Sequence, residues 1–242
     1  MPVTFAHPAF AWPLRRWGLA ATPLVVGALV PDVAHLLPRS PWTDHTALSL
    51  FTFALPVGWL LSLLVERVLG PGWARLAPER WSAPLAKSFR PHTPLAPTAG
   101  AVFAGALTHL LLDHVTHAYG AGARILGFHA QIPILDLPIY RALQYGLGVI
   151  GSVLVARSLV RWDHARGQAA LSPEETRPLW VLAAGIGLFA VVWGHRRSSW
   201  LPLRVRIHDF AVESVACTLV LTAVVLLLLG LIGAAMQRSW PR

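Results

Sequence analysis

The residues best suited to chemistry lie in one apolar stretch, Thr108-His109-Leu110-Leu111-Leu112-Asp113-His114-Val115-Thr116-His117. Ionisable groups are costly in such a setting and mark function by default. His109 and Asp113 are four apart, so on a helix they project from one face, one turn from each other. Side chains at that spacing can share one divalent ion, as the paired histidines of metalloprotease helices do. His117 extends the row, but its Cα lies roughly 12 Å along the axis from that of His109. One ion hardly reaches both, whereas Asp113 reaches either neighbour. The row fits a two-metal site, or a ligand backed by a hydrogen-bonded partner. His114 points about 100° away and is a poorer candidate. A plainer reading stands beside this one: a His–Asp pair on a helix surface, with His117 favouring the dipole at the helix end.

Further donors occur upstream. His7 precedes Pro8, Asp32 follows Pro31, and His45 opens an apolar run within Thr43-Asp44-His45-Thr46. Taken singly, Asp32 and His45 read as helix-cap residues and His7 as an exposed terminal group. Together they add the nitrogen and oxygen donors that zinc, manganese or iron accept. The single Cys217 sits in an apolar run, which excludes a disulfide framework and a closed cysteine-rich zinc site.

The elements that must position these groups are hydrophobic helices. Of 242 residues, 55% are hydrophobic and only 13% charged, against roughly 25% charged in an ordinary soluble domain. A soluble core cannot hide that much apolar surface, and a bilayer can accept it. The expected fold is all-α, a polytopic membrane helix bundle with about five transmembrane helices at ~20 residues per crossing. The apolar runs fall at 46–69, 97–117, 142–160, 178–193 and 210–236, with Pro178 suited to a first helical turn. Residues 17–37 form a further apolar segment after Arg15-Arg16, read as a buried or re-entrant helix of the mature protein, not a leader. Pro31 is expected to break it and leave Asp32 at its end. The stretch 70–97 reads as an exposed connection on the membrane surface, and Ser172-Pro173-Glu174-Glu175 as a helix start. No long polar linker divides the chain, so residues 1–242 are expected to form a single membrane domain. Its half 1–160 bears the motifs, and 161–242 supplies C-terminal helices.

The formal charge of +9 does not point to nucleic acid, because the arginines flank apolar runs instead of forming one stripe. Arg157, Arg161, Arg196, Arg197, Arg204 and Arg206 are placed to snorkel toward lipid phosphates. The basic residues divide almost evenly between the two sides of the expected bundle, with a slight lean toward a cytoplasmic C-terminus.

The sequence resembles a family of bacterial membrane proteins known as domain of unknown function 4184. The resemblance rests on Met1-Pro2-Val3-Thr4-Phe5-Ala6-His7-Pro8, Gly27-Ala28-Leu29-Val30-Pro31-Asp32 and His45-Thr46 leading into Phe53-Ala54-Leu55-Pro56. It continues through Gly105-Ala106-Leu107-Thr108-His109-Leu110-Leu111-Leu112-Asp113, Thr116-His117, Leu137-Pro138-Ile139-Tyr140 and Gln144-Tyr145-Gly146. It implies a multi-pass protein of the bacterial inner membrane. The order His, Pro-Asp, His, His-xxx-Asp is also similar to the ligand order of zinc-dependent phospholipase C, the related single-strand nucleases and membrane-bound metal-dependent hydrolases. That likeness implies His7, Asp32, His45, His109 and Asp113 as ligands, with His117 a ligand or the partner of one. The soluble enzymes use a further His-xxx-Glu pair on a later helix. It is missing here, since His195 and His208 lie in what reads as a later loop without that spacing. A one- or two-metal site is the safer form.

Three functions remain open at this level. The first is a membrane-embedded metal-dependent hydrolase of phosphoesters, lipids among them, holding a divalent ion with zinc the leading choice. Asp113 or Asp32 would be its catalytic groups, bridging ions or orienting water, and Arg39 or Arg124 would attract an anionic headgroup. The second is a non-catalytic membrane protein whose His/Asp cluster is structural. The third, a transporter, lacks a ligand row continuing through another span.

Overall fold

The structure is a computed structural model describing residues 6–34, 46–77, 79–89, 95–134, 137–164, 173–199, 218 and 221–236. The all-α expectation holds. Among the described residues the one departure from helix and turn is a short antiparallel pair, β1 (Gln131–Ile132) and β2 (Leu137–Pro138), with Gln131 opposite Pro138. The helices are α1 (Ala6–Ala11), α2 (Ala21–Val33), α3 (Ala47–Leu76), α4 (Glu79–Ser88), α5 (Leu95–Thr116), α6 (Ala121–Ile125), α7 (Ile139–His164), α8 (Pro173–Ser198) and α9 (Leu221–Met236). The chain divides into two compact units, one of Val3–Glu66 with Pro91–Asp163, the other of Met1–Pro2, Arg67–Arg90 and His164–Arg242.

In the first unit, α2 packs most extensively on α5, and the reason is a pair of glycines. A Cβ on Gly27 would meet the Val102 carbonyl, and one on Gly105 would meet the Leu24 carbonyl and lie 2.7 Å from Ala28 N. Small residues let two backbones approach closely, as they do between membrane helices. Two apolar clusters flank this contact. Val30, Leu50, Phe53, Ala106 and Leu110 form one, and Ala11, Leu24, Ala28 and Ala101 the other.

Helix α3 begins at a capping box. Thr46 Oγ1 accepts from Ser49 N and Ser49 Oγ accepts from Thr46 N, both at 3.2 Å. A π-helical stretch, Leu50–Ala54, lies just upstream of Pro56. Widening the helix there gives room to a ring that would otherwise strike the carbonyl one turn back.

The second unit repeats the small-residue device. A Cβ on Gly72 would meet the Gly230 carbonyl, and one on Gly233 the Gly72 carbonyl. Trp73 donates its Nε1–H to the Leu226 carbonyl at 2.6 Å and meets Phe89 edge-on at 5.4 Å between ring centroids.

Two helical stretches, Ala47–Leu76 and Ile139–Ser158, are long and apolar enough to cross a membrane, while Ala21–Val33 and Leu221–Met236 are apolar but shorter. Several expected boundaries need correction. Pro31 does not break α2, which runs on through Asp32 to Val33. The proline removes one hydrogen bond near a helix end, where few remain to be lost, and its ring is buried. The connection expected over 70–97 is largely helical, because α3 continues to Leu76 and α4 follows. Pro178 is inside α8 and not in its first turn, which begins at Pro173 after the predicted start signal. His195 is on that helix and not in a loop.

Candidate metal centre

Three helices of the first unit bring polar groups to one place. Helix α1 carries His7, the last turn of α2 carries Asp32, and α5 carries His109 and Asp113. Ligand atoms of His7, Asp32 and His109 all lie within 4.8 Å of one another, a group that could hold a metal ion. His109 is fully buried, and His7 and Asp113 nearly so.

The close approach of α2 to α5 sets the chemistry of His109. Its Nδ1 lies 2.8 Å from the Ala28 carbonyl. A carbonyl can only accept, so Nδ1 bears a proton. The other ring nitrogen, Nε2, faces Asp113 Oδ2 at 3.3 Å and Asp32 Oδ1 at 3.7 Å. A nitrogen placed between two carboxylates calls for positive charge there, supplied either by a metal ion or by a second proton on the ring. Metal-ligating histidines usually donate their other ring N–H to a carbonyl or carboxylate, and His109 Nδ1 makes a bond of that kind.

His7 stacks on His109 with ring centroids 3.6 Å apart and places Nε2 3.6 Å from Asp113 Oδ1. Its Nδ1 is buried with no hydrogen-bond partner among the described residues. Burial, then the neighbouring His109, lowers its pKa from 6.5 to about 4, against the opposing pull of Asp113 and Asp32. His7 is therefore neutral at pH 7, as a metal-ligating histidine must be. Two imidazoles and one carboxylate, with Asp113 beside both histidines, form a donor set suited to zinc, manganese or iron, so the residues present fit such an ion.

Around this core lies a ring of hydrogen-bonding groups. The Tyr119 hydroxyl donates to Asp113 Oδ2 at 3.3 Å. Burial, then Asp113, pushes the Tyr119 phenol well above its usual pKa, which keeps it a donor. His117 sets Nδ1 3.3 Å from Asp113 Oδ1, and Gln144 of α7 approaches His117 Nε2 at 2.7 Å. His114 turns away as its spacing requires, with Nδ1 on the Leu110 carbonyl at 2.9 Å.

The structure thus brings together His7, Asp32, His109 and Asp113 and places His117 beside Asp113. His45 lies outside the described residues, as do Arg39 and His208. The exposed Arg124 donates to the Tyr119 carbonyl at 3.0 Å. Neither Asp32 nor His7 has the role its sequence context suggests when read singly. Asp32 lies within the last turn of α2 instead of capping it, and His7 is buried instead of exposed. Sequence reasoning overlooked Tyr119, Gln144 and the Ala28 carbonyl. Gln144 and Ala28 occur in the motifs of the family resemblance, whereas Tyr119 follows Asp113 at no helical spacing that would single it out.

Fold and site together define a mostly helical protein with apolar helices and a buried His/Asp cluster able to hold a metal ion. The chain belongs to the family described as Domain of unknown function (DUF4184), whose model matches residues 1–236. No curated protein and no solved structure matches the chain.

Proposed function

We propose that this chain is a multi-pass bacterial inner-membrane protein with about five spans, acting as a metal-dependent hydrolase on phosphoesters, lipids among them. The observation that carries the reading is Nε2 of a fully buried His109 directed at two carboxylates, with His7 stacked alongside. Such a group holds a cation, and its donors favour zinc, manganese or iron.

Bound there, a divalent ion supplies Lewis acidity, acidifying water and offsetting charge on a phosphoryl oxygen. The chain's own residues do the rest. His7 and His109 offer neutral nitrogen, while Asp32 and Asp113 offer charge and a site for a water's proton. Tyr119 directs its O–H at Asp113. Apolar side chains exposed along α7 to α9, among them Val149, Val153, Leu188, Val192, Leu228 and Ile232, support residence in lipid. A lipid substrate would approach sideways from the bilayer.

Metal analysis of protein purified without chelators is the test, and the reading expects about one equivalent, or two, of a transition metal. Less than about one-tenth equivalent refutes it, since such sites bind tightly at neutral pH. His109→Gln and Asp32→Asn are expected to empty the site while leaving the helical content intact. Conversion of the phosphodiester of phospholipid vesicles containing the protein to phosphomonoester, followed by phosphorus NMR, then tests turnover. A second reading has its own support in the same geometry. A proton on His109 Nε2 would make the cluster an ion-paired clasp between α2 and α5, and metal-free protein of full stability would favour it.

A further inference from the structure

We propose that Gln144 sets the tautomer of His117, so that His117 turns its protonated Nδ1 toward Asp113 and is not itself a metal ligand. The inference rests on the metal-centre reading above and names a positioning pair within it.

The Gln144 amide N–H group donates to His117 Nε2 at 2.7 Å, so that nitrogen is an acceptor and carries no proton. The other nitrogen gives the same answer independently. His117 Nδ1 lies 3.2 Å from Thr116 Oγ1, whose own proton goes to the Leu112 carbonyl at 2.9 Å. Thr116 Oγ1 can then only accept from Nδ1, so Nδ1 bears the hydrogen. That N–H also faces Asp113 Oδ1 at 3.3 Å. Both ring nitrogens are therefore engaged, and neither is available to an ion in the His7–Asp32–His109 group.

The two oxygens of Asp113 then have different neighbours: Oδ2 receives the Tyr119 O–H at 3.3 Å, and Oδ1 lies 3.3 Å from the protonated His117 Nδ1, an electrostatic contact outside hydrogen-bond geometry. Gln144 belongs to α7, so the bond also ties that helix to the loop following α5. Free imidazole in water favours the opposite tautomer, with the proton on Nε2. In that form His117 would turn a lone pair toward Asp113 and push it away. Partners of this kind commonly change metal affinity about 10–100-fold when removed.

Nitrogen-15 NMR of histidine-labelled full-length protein in detergent micelles reads the tautomer directly, with His117 assigned by its absence from His117→Asn. In metal-free protein the expected result is a pyridine-type shift for Nε2 and a pyrrole-type shift for Nδ1. The reverse pattern overturns the inference. The near-isosteric Gln144→Glu replaces the donor by an acceptor and is expected to move the Nε2 proton back. An unchanged tautomer in that variant also overturns it. Loading with cadmium-113 should give cadmium–nitrogen couplings on His7 and His109 and none on His117. Coupling to His117 overturns the positioning role while leaving the metal centre standing. Coupling to no histidine overturns the metal centre, and the positioning role falls with it. Gln144→Leu is expected to weaken cadmium binding about 10–100-fold, and an unchanged affinity counts against the proposal.

Discussion

Adding a single methyl group to α5 should have opposite effects at two positions five residues apart. At Gly100 a Cβ would meet nothing within 4 Å, whereas at Gly105 it would strike the Leu24 carbonyl and lie 2.7 Å from Ala28 N. Ordinary contacts of this kind lie at about 3.5–4.0 Å, so Gly105→Ala must drive α2 and α5 apart by roughly 1 Å. Overpacking of that kind costs about 1–3 kcal/mol. Moving Ala28 by the same amount stretches its 2.8 Å bond to His109 Nδ1 beyond hydrogen-bonding range. A buried donor then loses its partner, for a further 1–3 kcal/mol or so. The tautomer that directs Nε2 toward Asp32 and Asp113 is no longer held, and metal affinity should fall about 10–100-fold, as for other lost partners of a ligand. Gly100→Ala, by contrast, should raise stability by up to about 1 kcal/mol, from helix propensity alone. Chemical denaturation in detergent followed by far-ultraviolet circular dichroism measures the first effect, and competition with a metallochromic chelator the second. A Gly105→Ala protein as stable as Gly100→Ala, with unchanged metal affinity, would refute the claim that glycine contact builds the site.

Other predictions follow from the same contacts. The His7 pKa of about 4 lies below the ordinary 6.5, so between these values the unfolded chain takes up the proton first. The contribution of His7 to metal-free stability is therefore whole above pH 6.5 and lost as the pH falls to about 4, at a cost of about 3 kcal/mol. Denaturation midpoints measured from pH 7 to 4 should fall less steeply in His7→Gln, and equal slopes would count against this burial of His7. Thr46→Ala removes half of the capping box and should cost about 1 kcal/mol without touching metal content. Trp73→Phe keeps an aromatic ring and loses the bond to the Leu226 carbonyl, with an expected loss of about 1 kcal/mol in chemical denaturation, and unchanged stability would count against that bond.

Composition and periodicity made much of this protein legible without coordinates. Low charge and long apolar runs lead to an all-helical chain, and α5 lies close to where its apolar run placed it. Spacing four apart put His109 and Asp113 on one face, because helix geometry is local and nearly invariant. Spacing also turned His114 away. What a linear pattern could not convey was how close α2 comes to α5, which depends on Gly27 and Gly105 meeting backbone on another helix. Taken singly, Asp32 and His7 looked like a cap and a terminus, since each lies far from the histidine row in sequence. Only the tertiary structure gathers His7 and Asp32 around His109, and only it fixes which ring nitrogen of His109 faces the acids, because the deciding partner is the carbonyl of an alanine. A backbone carbonyl carries no sequence signature. The same holds for Gln144, which meets His117 across 27 residues through a hydrogen bond that no short-range rule anticipates.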